Sequence, residues 1–354
     1  MAEKKRPSVS IVIKAYNEER RIAAAIESAL AALADFDGEV ILADSASTDR
    51  TVEIAADYPI KIVRLNNPRD RSCGVGAQLG FQYSGGEYLC LMDGDMVLHA
   101  GFLEAGLRFL AQNPGVAGVG GAVVHRHVVN LEYQQRVNRP DPDHKPGPVT
   151  RLSGSGLYRR SALETVGYAT DRNLHGGEEL ELAGRLHARG WTLARLDCVA
   201  VDHYCRTGSP YRLLFERIRS RNALGPGELM RSAFGQRQFA FIAAQDRNAR
   251  LCGLVGLWWC SIAAVAALAS GAAAALGTAA LLLLPFASMA WRWRSLRGAL
   301  YSVTVWNAQA LCFLPGFFWP RISPANWIES RVVKAPPPAA AETRRHAGIV
   351  AAVP

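Results

Sequence analysis

Asp93-Gly94-Asp95 directly follows a mostly apolar run, residues 88–92, that reads as a buried strand. Two carboxylates one residue apart at a strand exit offer oxygen ligands to a hard divalent cation, and such a cation readily bridges to a diphosphate. Asp-Gly-Asp is also an ordinary turn, since Gly and Asp dominate turns, so the tripeptide takes its meaning from its surroundings. Tyr16-Asn17-Glu18 and Asp44 also stand at the carboxyl ends of strand-like runs. In parallel α/β sheets, ligands bind outside those ends. Three polar groups therefore converge on one crevice.

The elements that position them alternate. Residues 9–13, 40–43, 60–65 and 88–92 are apolar strand patterns. Residues 18–34 carry apolar side chains at helical spacing (Ile22, Ala25, Ile26, Ala29, Leu30, Leu33), and a second helix is expected over 51–56, with Ser47 or Asp49 available as its cap. This βαβαβ opening predicts an α/β fold with a mainly parallel sheet flanked by helices. Further on, 130–150 reads as a long mobile loop, 161–166 and 178–188 as helices, and 191–201 as two short strands ending at Asp202-His203. Gly74-Val75-Gly76-Ala77-Gln78-Leu79-Gly80 imitates a dinucleotide-binding glycine loop. It does not follow the first strand and its last spacing is wrong, so the glycines are expected to let a helix approach the donor closely. Gly154-Ser155-Gly156 either leaves room for an acceptor or a transferred sugar, or makes a tight bend at a strand.

The 354 residues suffice for one large domain and an appendage, and the net charge of +9 suggests an anionic partner. Across 204–250, arginines outnumber Glu216, Glu228 and Asp246, and an uncharged stretch over 251–291 follows. That order favours a membrane surface over nucleic acid. The uncharged stretch fits two spans of roughly 20 residues each, with a turn expected over 271–277. A further apolar segment, 299–320, spans, re-enters or lies at the interface. Arg247 and Arg250 precede the hairpin and Arg292, Arg294 and Arg297 follow it, so both ends should face the cytoplasm. The short apolar run after the basic N-terminus ends at Lys14 and does not read as a signal peptide. The seven cysteines show no metal-type spacing, and Cys252, Cys260 and Cys312, in very apolar segments, read as small hydrophobes in a reducing compartment.

Taken in order, Ser10-Ile11-Val12-Ile13-Lys14-Ala15-Tyr16-Asn17-Glu18-Glu19, Leu42-Ala43-Asp44-Ser45-Ala46-Ser47-Thr48-Asp49-Arg50-Thr51, Gly86-Glu87-Tyr88 leading to Asp93 and Asp95, Gly177-Glu178-Glu179-Leu180-Glu181-Leu182, and His203 resemble a GT-A fold family 2 glycosyltransferase. The likeness runs over about residues 8–203 and rests on the ordered set rather than on any one motif. It implies an inverting, metal-dependent transferase. Ala15, Tyr16, Glu18, Asp44, Arg71, Asp93 and Gly94 would bind the nucleotide sugar, Asp44 by accepting from a uracil-type base. Asp95, His203 and Asp93 would hold Mg2+ or Mn2+. Glu179, with Glu178 as the fallback, would be the base. Both glutamates could instead simply favour a helix N-terminus through its dipole.

The chain departs from the family pattern in three places. The usual Glu-Asp pair is Glu178-Glu179. The Arg or Lys before Asn in the helix preceding the metal strand is replaced by Ala77 and Gln78, leaving Arg69 and Arg71 to supply charge to the diphosphate. The Gln-x-x-Arg-Trp signature of processive synthases is absent after His203, which argues for single addition. The expected organisation is a basic tail (1–7), a GT-A domain (8–205), a basic interfacial linker (206–250), a membrane region (251–320, with a hairpin at 251–291) and a disordered tail (321–354). Within the linker, residues 211–222 place Leu213, Leu214, Phe215 and Ile218 against Arg212, Arg217, Arg219 and Arg221, as an interfacial helix would. The expected partners are a UDP-sugar, a lipid-linked or glycan acceptor and membrane lipids, with no nucleic acid, at a bacterial inner membrane with the catalytic domain cytoplasmic. The reading from another class is a non-catalytic nucleotide-sugar-binding or scaffold protein.

Overall fold

The computed structural model describes residues 8–138, 142–152, 154–205 and 208–335. In chain order the elements are β1 (Ser8–Ala15), α1 (Ile22–Leu33), β2 (Asp37–Asp44), α2 (Thr51–Ala55), β3 (Lys61–Leu65), α3 (Cys73–Tyr83), β4 (Tyr88–Asp93), β5 (Met96–Leu98), α4 (Phe102–Gln112), β6 (Val116–Arg126), α5 (Leu131–Val137), β7 (Gly147–Val149), β8 (Gly156–Arg159), α6 (Arg160–Thr165), α7 (Glu178–Ala188) and β9 (Thr192–Tyr204). Then follow α8 (Pro210–Arg219), α9 (Gly225–Ala233), α10 (Phe239–Gln245), α11 (Arg247–Leu268), α12 (Gly271–Trp293), α13 (Leu296–Phe317) and β10 (Ser330–Lys334).

One sheet runs in the order β10-β3-β2-β1-β4-β8-β6-β9-β5, with β7 beside β9. The expected parallel core is present: β3, β2, β1 and β4 are all parallel. Beyond β4 the sheet is mixed, with β8 antiparallel to β4 and β6 but β6 parallel to β9. Alternation along β1 feeds both faces. Val9, Ile11 and Ile13 pack with Ile22 and Ile26 of α1 and Phe102 of α4, while Val12 packs with Val75 and Leu79 of α3. A strand covered on both faces must be apolar on both, which is why the alternation is hard to see in the sequence.

The glycines of α3 are packing devices. A Cβ on Gly80 would lie 2.1 Å from Val12 Cγ1, and one on Gly74 would lie 1.9 Å from the Asp171 carbonyl. The helix therefore approaches β1 and the 171–174 loop, and Gly76 brings it against Lys14, where a Cβ would lie 3.2 Å from Lys14 Cβ.

Three further expectations change. Residues 191–201 are part of one long strand, β9, whose register slips between Arg195 and Val199, so the two short strands are one irregular one. The loop at 130–150 contains α5 and β7, with 139–141 outside the described residues. The tail over 321–354 is not uniformly disordered, because β10 returns after the apolar helices and pairs antiparallel with β3 at the sheet edge. Residues 336–354, like the basic tail 1–7, lie outside the described residues.

Helices α11 and α12 are long and apolar enough to cross a membrane, with 11% and 0% of their most apolar stretches buried in the protein. The break between them falls at Ala269-Ser270, just ahead of the expected turn. Helix α13 differs. It packs on α11 and α12 but also along α9, where a Cβ on Gly227 would meet the Phe313 carbonyl at 2.0 Å. Near its start the Tyr301 ring stands edge-on to Tyr211 of α8, and near its end Phe317 meets Phe234. Both ends of α13 thus touch the helices that follow the sheet.

Candidate active site

The floor of the crevice is the β1–β4 pair. Lys14 stands opposite Asp93 in parallel register, and its Nζ is 2.8 Å from Asp93 Oδ1. The Gly94 N–H donates to the Lys14 carbonyl at 2.8 Å, and a Cβ at Gly94 would stand 3.1 Å from Glu18 Cγ. The Asp-Gly-Asp turn is therefore folded tightly over the end of β1, which accounts for glycine at its centre.

One wall is made by the loops after β1 and β2, which hydrogen-bond directly to each other. Ser45 N–H donates to the Ala15 carbonyl, Asn17 N–H to Ser47 Oγ at 2.9 Å, Glu18 N–H to Thr51 Oγ1 at 2.8 Å, and Glu19 N–H to Asp49 Oδ2 at 3.1 Å. Asn17 adopts φ +55°, a left-handed conformation that Asn tolerates because its side chain bonds locally, here accepting from Thr48 N–H. The Arg71 guanidinium lies over the Tyr16 ring, 3.6 Å from its centroid, and donates to the Ser45 carbonyl. Tyr16 and Arg71, apart in sequence, form one surface. Asp44 is fully buried and accepts from Ser47 N–H at 3.1 Å, with Arg64 Nε 3.3 Å away. Burial pushes its carboxyl up, opposed by the Ser47 hydrogen bonds and Arg64. It braces this wall rather than presenting free oxygens to the crevice.

The opposite wall is the start of α7. Gly177 at φ +85° precedes the helix, and Glu178, Glu179 and Glu181 fill its first turn, where the helix dipole favours acidic groups. Glu181 is bound to Arg185 and is structural. Glu178 is buried, whereas Glu179 is half-buried and accepts from Gly154 N–H at 3.1 Å. With Lys14, Ser155 and Gly156, the pair lines a cavity of about 20 Å3, room for one water. Burial and the neighbouring Glu179 charge push the Glu178 carboxyl up to about 7. Burial also raises Asp93, opposed by Lys14. Burial pulls Lys14 down, but Asp93, Glu178 and Glu179 more than offset this and raise it well above its ordinary value, so it stays charged. Lys14 was not anticipated as part of the site. Its only sequence signal is a lone cation ending a buried strand.

Asp95 and His203 come together through pairing of β5 with β9, which places Met96 opposite His203. His203 Nε2 is 3.4 Å from Asp95 Oδ2. Asp95 Oδ1 is buried and has no hydrogen-bond partner among the described residues. A buried carboxylate oxygen in that condition is unfavourable and is the donor a hard divalent cation takes up. The residues present therefore fit a metal at Asp95, with Asp93 and His203 beside it. Of the expected replacements near α3, Gln78 is structural: its Oε1 accepts from the Ala169 and Thr170 N–H groups.

Residues 10–167, a little under half of the chain, match the family model for glycosyl transferase family 2. The putative glycosyltransferase EpsE of Bacillus subtilis is 29% identical over 195 residues, covering 52% of this chain and 68% of that protein. The succinoglycan biosynthesis protein ExoA of Rhizobium meliloti is 27% identical over 212 residues, covering 55% and 63%. Other curated relatives are matched over as little as 26% of their length. Among solved structures, a mannosyltransferase from Pyrobaculum calidifontis, in complex with GDP-Man and Mn2+, shares the fold. Its TM-score is 0.56 at 20% identity, with 88% of each chain covered. The sheet with its flanking helices is the GT-A fold, followed here by two apolar helices suited to a membrane.

Proposed function

We propose that this glycosyltransferase is inverting and metal-dependent. It moves a sugar from a nucleotide-diphosphate donor, a UDP-sugar, to a lipid-linked or membrane-associated acceptor in envelope or exopolysaccharide synthesis. The observation that carries the reading is the meeting of two carboxylate pairs, Asp93 with Asp95 and Glu178 with Glu179, and the Tyr16–Arg71 wall around the carboxyl ends of parallel strands. The relative named for succinoglycan biosynthesis supports the pathway, and the neighbour holding GDP-Man and Mn2+ supports a nucleotide-diphosphate donor and a divalent ion, though not the uridine base. The apolar pair α11–α12 supports a bacterial inner-membrane location, with the sheet domain on the cytoplasmic side, where arginines flank both ends of the pair.

In this mechanism the Tyr16 ring and the Arg71 guanidinium receive the nucleotide base, with Ala15, Glu18, Asp44 and Gly94 shaping the pocket. Asp95, Asp93 and His203 would hold Mg2+ or Mn2+. When bound, the ion neutralises the departing diphosphate. Glu179, with Gly154 N–H orienting its carboxylate, removes the acceptor hydroxyl proton as that oxygen attacks the anomeric carbon from the face opposite the diphosphate. Glu178 is the buried neighbour, its own carboxyl raised to about 7 by burial and by the Glu179 charge. Lys14 places a positive charge among the clustered carboxylates and holds the Asp93 side chain.

The test is release of nucleoside diphosphate from a panel of nucleotide sugars by membranes containing the protein, with Mg2+ or Mn2+ and native lipid extract. Release from one UDP-sugar, dependent on metal and lost in Asp95→Ala, is expected. No release from any donor would replace this reading with a non-catalytic nucleotide-sugar-binding scaffold.

A further inference from the structure

A second cluster of metal-ligating side chains lies on the far side of His203. Its Nδ1 is 2.9 Å from the Nδ1 of His125, and Cys205 Sγ is 3.9 Å from each of those nitrogens. The sheet makes this constellation: β6 and β9 are parallel, with His125 opposite His203, and Cys205 N–H donates to the Arg126 carbonyl just past the strand end. His203 and Cys205 are buried and His125 is half-buried.

Two imidazole lone pairs do not face each other at 2.9 Å unless a proton or a cation lies between them. A shared proton accounts for the two rings but not for a thiol equally distant from both nitrogens. A tetrahedral zinc ion has bonds of about 2.0–2.1 Å to nitrogen and about 2.3 Å to sulfur, which sets its N···N edge at about 3.4 Å and its N···S edges at about 3.6 Å. The observed edges bracket these values, so side-chain adjustments of a few tenths of an ångström close the site.

We propose that His125, His203 and Cys205 form a zinc-class metal site, distinct from the oxygen-rich site at Asp93 and Asp95. Nitrogen and thiolate ligands select zinc over Mg2+ and Mn2+, which prefer oxygen. Asp95 completes the design, since a ligating histidine usually donates its other ring N–H to a carboxylate, and His203 Nε2 is 3.4 Å from Asp95 Oδ2. Binding releases the Cys205 thiol proton to solvent. A neutral imidazole has one lone-pair nitrogen, so zinc on Nδ1 and a second metal on Nε2 compete for His203. The site itself stands apart from the transferase reading. Only this competition rests on it.

The test is Co2+ titration of the full-length, metal-free protein in detergent. One equivalent should produce the near-ultraviolet thiolate-to-cobalt charge-transfer band, and zinc should bleach it. Cys205→Ser should abolish the band, and His125→Ala should weaken binding by more than the roughly 10–100-fold that loss of an outer-shell partner costs. Asp95→Asn should keep the band, and Cys205→Ser should keep its Mn2+ affinity. In EDTA Cys205→Ser and the wild type should melt alike, with zinc raising the melting temperature of the wild type but not of Cys205→Ser. Absence of the band in wild type, or its persistence in Cys205→Ser, would overturn the assignment, since any ion would then sit on other ligands.

Discussion

Lys14 Nζ lies 2.8 Å from Asp93 Oδ1 at the end of the two central parallel strands, and the charges of Glu178 and Glu179 act on the same ammonium group. One buried cation therefore balances three carboxylates that the reaction needs close together. Replacing it leaves a buried carboxylate unpaired, a loss of about 3–5 kcal/mol for pairs of this kind. Lys14→Met should lower the melting temperature at pH 8 and recover part of the loss at pH 5, where Asp93 can take up a proton. Equal losses at both pH values would show that the pair does not carry this charge balance.

Glu178 gives a prediction of definite sign. Burial and then Glu179 raise its carboxyl to about 7 in the fold, against about 4.3 for an unperturbed glutamate. Between those values the folded protein holds more protons than the unfolded chain, so this group's contribution to stability falls as pH rises from about 4.5 through about 7. Glu178→Gln removes the titration. Its melting temperature relative to wild type should climb between pH 5 and pH 8, as followed by circular dichroism. A difference that stays flat with pH would refute the buried-pair assignment.

Arg71 stacks on Tyr16 and ties down the Ser45 carbonyl. Its removal should loosen the base pocket without touching the reacting centre. With about 1 kcal/mol for such a contact, Arg71→Ala should raise the donor KM roughly fivefold and leave kcat near wild type. A kcat loss at unchanged KM would move Arg71 from the base to the diphosphate.

Leu283 of α12 is 65% exposed on a helix with no buried residue. If that surface meets lipid, an arginine there carries an insertion penalty of about 2.5–3.5 kcal/mol. Leu283→Arg should shift protein from the membrane fraction to aggregates, as measured by fractionation after alkaline washing. Unchanged membrane retention would mean that α12 faces protein or water.

The parallel half of the sheet and the placement of Tyr16, Asp93 and Asp95 were legible because each follows a recognisable local pattern, an apolar run that stops at a polar turn, whereas Glu179 was reached only through the family resemblance. What was illegible depends on pairing between distant segments. Ser330–Lys334 is a short Val-Val run near prolines, and only its partner β3 makes it a strand. His125 looks like a surface residue until β6 and β9 pair in register and bring it to His203. Lys14 ended an apolar run in the sequence, and its role exists only because Asp93 stands opposite. Asp44 shows the reverse case. Its position at a strand end was legible, but its engagement with Ser47 and Arg64 was not.

The central claim is that the carboxylate pair at the start of α7 drives sugar transfer. The most direct measurement compares donor affinity and transfer rate in Glu179→Gln and Glu178→Gln, using the donor and lipid extract on which wild type is active. Loss of a positioned base typically costs 10²–10⁴-fold, so Glu179→Gln should bind donor as wild type does yet transfer at least about 100-fold more slowly, with Glu178→Gln less affected. Near-normal transfer by Glu179→Gln would contradict the account.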